Sequence, residues 1–284
     1  MTRARTYEVS ALLIRQRDLG EADRILTLFT RERGKLSAVA KGVKRLRSKL
    51  APVLQLFAQA RLQLAAGRSL EVVTQASPEQ AFPHLREDVD RYACACYVAE
   101  LADVMMEEHA AAEWVFELLA ATLSGLDGGG GMAAQQGRRS QRGCGPAGPQ
   151  LGSAALVRGF ELKLLSGLGY GPELEACVSC GVEVEKQAGG FSVPEGGVVC
   201  RRCARETGTP LSPAALQGMR ELVRLPQEEL GRRRLTEKTR QELERLMRRF
   251  VDYRAERELR SAAFLPGRGG PFRTPRGSFR VPEG

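Results

Sequence analysis

The sequence predicts an α+β protein of more than one domain: a small strand-rich part at the start, then a mostly helical domain with an inserted four-cysteine zinc module. Three observations carry this. Between residues 7 and 75 the apolar side chains fall in short runs broken by turn residues, the punctuation of strands. Beyond residue 79 the apolar spacing changes to the threes and fours of a helix. The pairs Cys177-Val178-Ser179-Cys180 and Cys200-Arg201-Arg202-Cys203, nineteen residues apart, have the spacing of a structural metal site. At 284 residues and 43% hydrophobic, the chain is long enough to bury more than one core.

In order along the chain, Tyr7 to Arg15, Arg24 to Thr30 and Lys35 to Lys41 are rich in Val, Ile, Leu, Phe and Thr and read as strands. The turn stretches Asp18-Leu19-Gly20 and Glu32-Arg33-Gly34 separate them. Ser48 to Leu56 has helical apolar spacing around one proline. Two more strands follow, Gln59 to Leu64 and Leu70 to Thr74, joined by Ala65-Ala66-Gly67-Arg68. Three strands, a short helix and two strands is the order of a five-stranded oligonucleotide-binding (OB) barrel, here 1–78, and SH3-like barrels share it. Ser77-Pro78 predicts a helix start, cap then proline.

The helical domain is predicted to span 79–265. Val89, Tyr92, Ala93, Cys96 and Tyr97 form one stripe of its first helix, a core face; Cys94 and Cys96 point to nearly opposite sides and read as packing residues. A second helix, about Glu113 to Leu126, carries Trp114, expected to be a core anchor. Gly128 to Ser153, with four consecutive glycines and few large apolar residues, is expected to be a flexible insertion holding a lone thiol, Cys144. A third helix sets Val157, Phe160, Leu164, Leu165 and Leu168 on one face and stops at Gly169. Past the cysteine module, 174–206, Ser212-Pro213 opens a helix with Leu216, Met219, Leu222 and Val223. A last helix carries Leu243, Leu246, Met247, Phe250 and Val251, and 266–284 reads as a disordered tail.

In the module, Gly181 after the first pair permits the positive φ of a tight knuckle, and Phe191-Ser192-Val193 with Val198-Val199 read as a hairpin returning the second pair to the first. Cys177, Cys180, Cys200 and Cys203 would close a tetrahedral zinc sphere, leaving no position for water, so the zinc is expected to be structural.

Net charge is +9 and unevenly distributed. Residues 1 to 80 hold 15 Lys and Arg against 7 Asp and Glu. Within them Arg31, Arg33, Lys35, Lys41, Lys44, Arg45, Arg47 and Lys49 face one acid, Glu32, the footprint of a polyanion-binding surface. The candidate DNA-binding residues are Arg24, Arg33, Lys35, Lys41, Lys44, Arg45, Arg47 and Lys49. No apolar run is long enough to span a bilayer and Ala11 to Ile14 is too short for a signal core, so the expectation is a cytoplasmic, nucleoid-associated protein. No GxxxxGK[ST], HExxH or GxSxG occurs, and His84 and His109 are too isolated for a catalytic pair, which argues against an enzyme or a small-molecule substrate. A basic barrel with a zinc module also suits an RNA-binding or ribosome-associated protein. Asp18, Glu21 and Asp23 are the acids a metal-dependent nuclease would use.

Glu21-Ala22-Asp23-Arg24-Ile25, Thr27-Leu28-Phe29-Thr30, Arg33-Gly34-Lys35-Leu36 and Val39-Ala40-Lys41-Gly42 resemble the N-terminal barrel of the RecO family of recombination mediators. The similarity continues through Phe82-Pro83-His84-Leu85-Arg86-Glu87-Asp88, Phe160-Glu161-Leu162-Lys163-Leu164-Leu165, Gly167-Leu168-Gly169-Tyr170 and Cys177-Val178-Ser179-Cys180-Gly181. The resemblance implies an OB barrel joined to a helical domain with a zinc module. It also implies binding of single- and double-stranded DNA, strand annealing, and loading of RecA with RecR onto DNA covered by single-strand-binding protein.

Overall fold

The computed structural model describes residues 6–67, 69–128, 151–184 and 188–266. Five strands, β1 (Thr6–Leu19), β2 (Asp23–Thr30), β3 (Gly34–Ala40), β4 (Gln59–Ala65) and β5 (Glu71–Gln80), close into a barrel in the order β1-β2-β3-β5-β4. All neighbours are antiparallel except β3 and β5, which meet in parallel at Ala38 and Val39 opposite Glu71 and Val72. This closed five-stranded barrel is the expected OB architecture.

The alternation of the strands fills the barrel: Val9, Ala11, Leu13, Leu26, Leu28, Leu36, Ala38, Leu62 and Leu64 pack into one core. Between them Leu12, and Ile14 in the bulge between Leu13 and Arg15, face outward and are still buried. They join a second core with the helical domain, so β1 is covered on both faces, which explains its unbroken apolar run.

Two predicted features of the barrel region are corrected. Ser48 to Leu56 forms consecutive turns, not a helix: Pro52 has no N–H and disfavours helical backbone at Ala51, leaving Leu54 N to Leu50 O (2.9 Å) as one isolated helical bond. Ser77-Pro78 does not start a helix but lies in β5, opposite Arg61 and Ala60. Here β5 has run past β3, so the missing proline N–H interrupts no ladder on that edge. The helical cap is instead Asp88, whose carboxylate accepts from the N–H groups of Asp90 and Arg91.

Helix α1 (Val89–Met105) is buried over most of its circumference by Ala93, Cys94, Ala95, Tyr97, Val98, Ala99, Leu101 and Ala102. The predicted stripe is thus rotated: Val89 and Tyr92 are exposed, while small alanines let β1, α2 (Glu113–Asp127) and α3 (Leu151–Gly167) approach closely. Trp114 is no core anchor either; it is 42% exposed and covers Gly167, where an added Cβ would meet the indole at 2.3 Å. Between α1 and α3, Arg158 and Glu161 form a sealed ion pair at 2.9 Å, and the Tyr97 hydroxyl donates to the same carboxylate. Burial pushes the Glu161 pKa up, against the pull of Arg158.

The hairpin β6 (Gly190–Ser192) and β7 (Gly197–Val199) and the short helix α4 (Ala204–Thr207) form the cysteine module. Helices α5 (Pro213–Arg224), α6 (Gln227–Leu230) and α7 (Glu237–Ala255) complete the domain, with the predicted α7 stripe Leu243, Leu246, Met247, Phe250 and Val251 buried. A final 3-10 turn, Arg260–Phe264, packs on α1. The expected insertion 128–153, apart from Gly128 and the start of α3, and all but the first residue of the expected tail 266–284 lie outside the described residues, as does Cys144.

Candidate metal centre and nucleic-acid interface

The first knuckle is a tight loop because Gly181 takes φ +75°, letting its N–H bond to Cys177 O at 2.8 Å. The Cys177 N–H in turn bonds to Val182 O, and the hairpin N–H of Cys200 points at Cys177 Sγ at 3.3 Å. The four Sγ atoms of Cys177, Cys180, Cys200 and Cys203 lie within 4.8 Å of one another. The Cys180 and Cys200 sulfurs are 3.8 Å apart, close to the edge of about 3.8 Å that a tetrahedron with Zn–S bonds of about 2.3 Å requires. The donor set therefore fits a tetrahedral metal.

The surroundings favour thiolate at Cys177 and Cys200. Burial opposes ionisation of Cys177, but the N–H groups of Cys200, Cys180 and Ser179 outweigh it and hold its pKa down to about 6. The Cys203 N–H does the same for Cys200. The sulfurs of Cys200 and then Cys180, hydrogen-bonded to Cys203, push its thiol up. The Arg202 guanidinium lies against Cys180 and Cys203, where it offsets negative sulfur.

The module is fastened by residues the sequence reading did not single out. Arg220 of α5, only 8% exposed, donates to Leu174 O (2.7 Å) and to Val184 O and pairs with Glu175 at 3.1 Å. On the other side the Phe191 ring of β6 meets Phe250 of α7 edge-on at 5.4 Å. An arginine beside the apolar stripe of an amphipathic helix gives no sequence signal that it will be buried.

The eight candidate DNA-binding residues divide into three groups. Lys35 is turned into the junction between barrel and helices: it is 12% exposed, pairs with Asp103 at 3.1 Å and donates to the Asp103 carbonyl. The His109 N–H donates to Lys35 O at 2.7 Å, and Gly34 (φ +66°) lies so near Ala110 that an added Cβ would sit 1.9 Å from its carbonyl oxygen. Arg31 closes the same junction, pairing with Glu113 and Glu117 over the Phe116 ring. The run Arg31 to Lys35 therefore joins domains. Arg33 stacks on Tyr7 at 3.8 Å.

Arg24 and Lys44 form the second group, both paired with Asp18 at 3.1 and 2.8 Å. Lys44 first, then Arg24, holds the Asp18 carboxyl below its usual range. Asp23 caps the Gly42 N–H at 2.7 Å. Asp18 and Asp23 of the nuclease reading thus have other partners; among the described residues only the cysteine quartet gathers as a group that could hold a metal.

Lys41, Arg45, Arg47 and Lys49 are the third group. All are exposed on the β3–β4 loop, and among the described residues none has an ion pair. The loop is held at both ends, by Lys44 N to Ala22 O (3.0 Å) and buried Val43 on one side and by buried Leu54 on the other. Its cations are presented together on a fixed rim of the barrel. Among the described residues no helix is long and apolar enough to cross a membrane.

Comparison with known proteins agrees with this architecture. The family model Recombination protein O N terminal matches residues 1–82, the whole barrel, and Recombination protein O C terminal matches 86–138 and 148–263. The chain is 37% identical to the "DNA repair protein RecO" of Roseiflexus sp. (strain RS-1) over 93% of this chain and 86% of that protein. It is 37% identical to that of Symbiobacterium thermophilum over 91% and 96%, and 36% identical to that of Heliobacterium modesticaldum over 93% and 91%. With both halves matched in order, and the barrel, helices and cysteine module each in the expected place, the chain belongs to the recombination protein O family.

Proposed function

We propose that the chain is a DNA-binding, strand-annealing mediator of recombinational repair that acts with RecR to load RecA onto single-stranded DNA covered by single-strand-binding protein. The observation that carries the DNA part is the cluster of unpaired cations Lys41, Arg45, Arg47 and Lys49 on one rim of an OB barrel, in a chain whose named relatives are DNA repair proteins. The basic stretch has no aromatic side chain, so binding rests chiefly on phosphate contacts that tolerate any sequence, on single or double strands. Bases held mainly through their backbone stay free to find complements, which suits annealing. RecR, RecA and single-strand-binding protein are the partners that the family resemblance implies.

The four cysteines hold one structural zinc, consistent with thiolate-favouring N–H donors and a closed sphere. When bound, the metal cross-links knuckle and hairpin; Cys177, Cys180, Cys200 and Cys203 supply its ligands. The protein itself catalyses no reaction and works in the cytoplasm at the nucleoid. An annealing assay with complementary oligonucleotides, bare and coated with single-strand-binding protein, tests the reading. Faster annealing of both, with no release of phosphate from ATP, is expected; failure to accelerate either contradicts it.

A further inference from the structure

One side chain in the cationic loop has no place in phosphate binding. Leu46, between Arg45 and Arg47, has a relative exposure of 107%, far above any other large apolar residue among those described. Its position is set by the fold: Ser48 N bonds to Arg45 O at 2.9 Å, making Leu46 the first corner residue of a turn, and the preceding turn closes through Arg45 N to Gly42 O at 3.1 Å. The other apolar residues of this loop behave ordinarily, Val43 and Leu54 each being 3% exposed. The loop thus buries its anchors and holds one leucine outward at a turn corner where polar residues are usual. The surrounding cations Lys41, Arg45, Arg47 and Lys49 make a polyanion the complementary occupant.

We propose that Leu46 is a nucleobase contact: once the flanking cations hold the phosphates of a single strand, the leucine packs on the face of an unpaired base, giving the protein a preference for single-stranded over duplex DNA. The proposal rests on the DNA-binding reading above. In a duplex the base faces are stacked on one another and present no apolar surface to the leucine. In a single strand they do, and burying a leucine against one removes apolar area from water without any charge contact.

The experiment measures affinity, as a function of salt, of wild type, Leu46→Ala and Leu46→Phe for three probes of about 16 nucleotides, the upper site size of one barrel: a mixed-sequence single strand, an abasic strand of equal charge, and a duplex. Leu46→Ala is expected to lose about fivefold or more on the normal single strand, with an unchanged salt slope, and nothing on the abasic strand or duplex. Leu46→Phe binds the normal strand at least as tightly as wild type, since a ring stacks on any base. Equal affinity of Leu46→Ala and wild type for the normal strand overturns the proposal. So does an equal loss on all three probes, which would mean that Leu46 only shapes the loop. Loss of wild-type binding to anionic vesicles in Leu46→Ala, with DNA affinities unmoved, would assign the leucine to a lipid surface instead. A wild type that binds none of the three probes removes the DNA-binding reading itself, whereas a wild type that binds all three while Leu46→Ala matches it removes only this inference.

Discussion

At the scale of single residues, adjacent members of one basic run do different work. Lys35 is closed into the domain junction while Arg45 and Arg47 stand free, though the sequence presents them as equivalent cations. Lys35→Ala is therefore expected to cost about 1 kcal/mol of stability, since the Asp103 carboxylate keeps only Arg15 at 3.6 Å and its carbonyl loses a donor, yet to leave the salt dependence of DNA binding unchanged. Urea melts and DNA titrations of one preparation check both halves. Gly34→Ala should be harder to tolerate, losing more than about 1 kcal/mol, because the residue needs φ +66° and abuts the Ala110 carbonyl. The charge of these residues was legible in the sequence; their partners, Asp103, Glu113 and Glu117, lie some seventy to eighty residues away and were not.

At the scale of elements, what could be read was local. Strand punctuation located all five barrel strands, and knuckle spacing located a cysteine cluster that the structure closes to within 4.8 Å. Misread elements were those where proline has two meanings: Pro52 sits in turns, not a helix, and Pro78 lies within β5, past the stretch paired with β3. The face of α1 was lost because a central helix is buried nearly all round and its alanines carry little periodic signal. The module's attachment gives two predictions. Cys200→Ser should remove the bound zinc and destabilise the helical domain while the barrel stays folded, checked by metal analysis and by two-step unfolding. Arg220→Ala should keep the zinc but loosen the module, raising hydrogen exchange at Leu174 to Val184, whose carbonyls the guanidinium holds.

At the scale of the whole molecule, the barrel keeps a core of its own, while Leu12, Ile14 and Phe29 on its outside join the core of the helical domain. The cationic rim lies on the barrel, in sequence far from the zinc ligands, so DNA affinity and metal content are expected to respond to separate mutations. The central claim is that the free cations of the β3–β4 loop bind the phosphate backbone. Its most direct test is the slope of log affinity against log salt for single-stranded DNA, compared between wild type and the triple variant Lys41→Glu, Arg45→Glu, Arg47→Glu. Each lost phosphate contact should flatten the slope by about 0.7, so the triple variant should bind weakly, with a slope shallower by about 2, and with its zinc and fold intact. A folded triple variant with wild-type affinity and slope would contradict the claim.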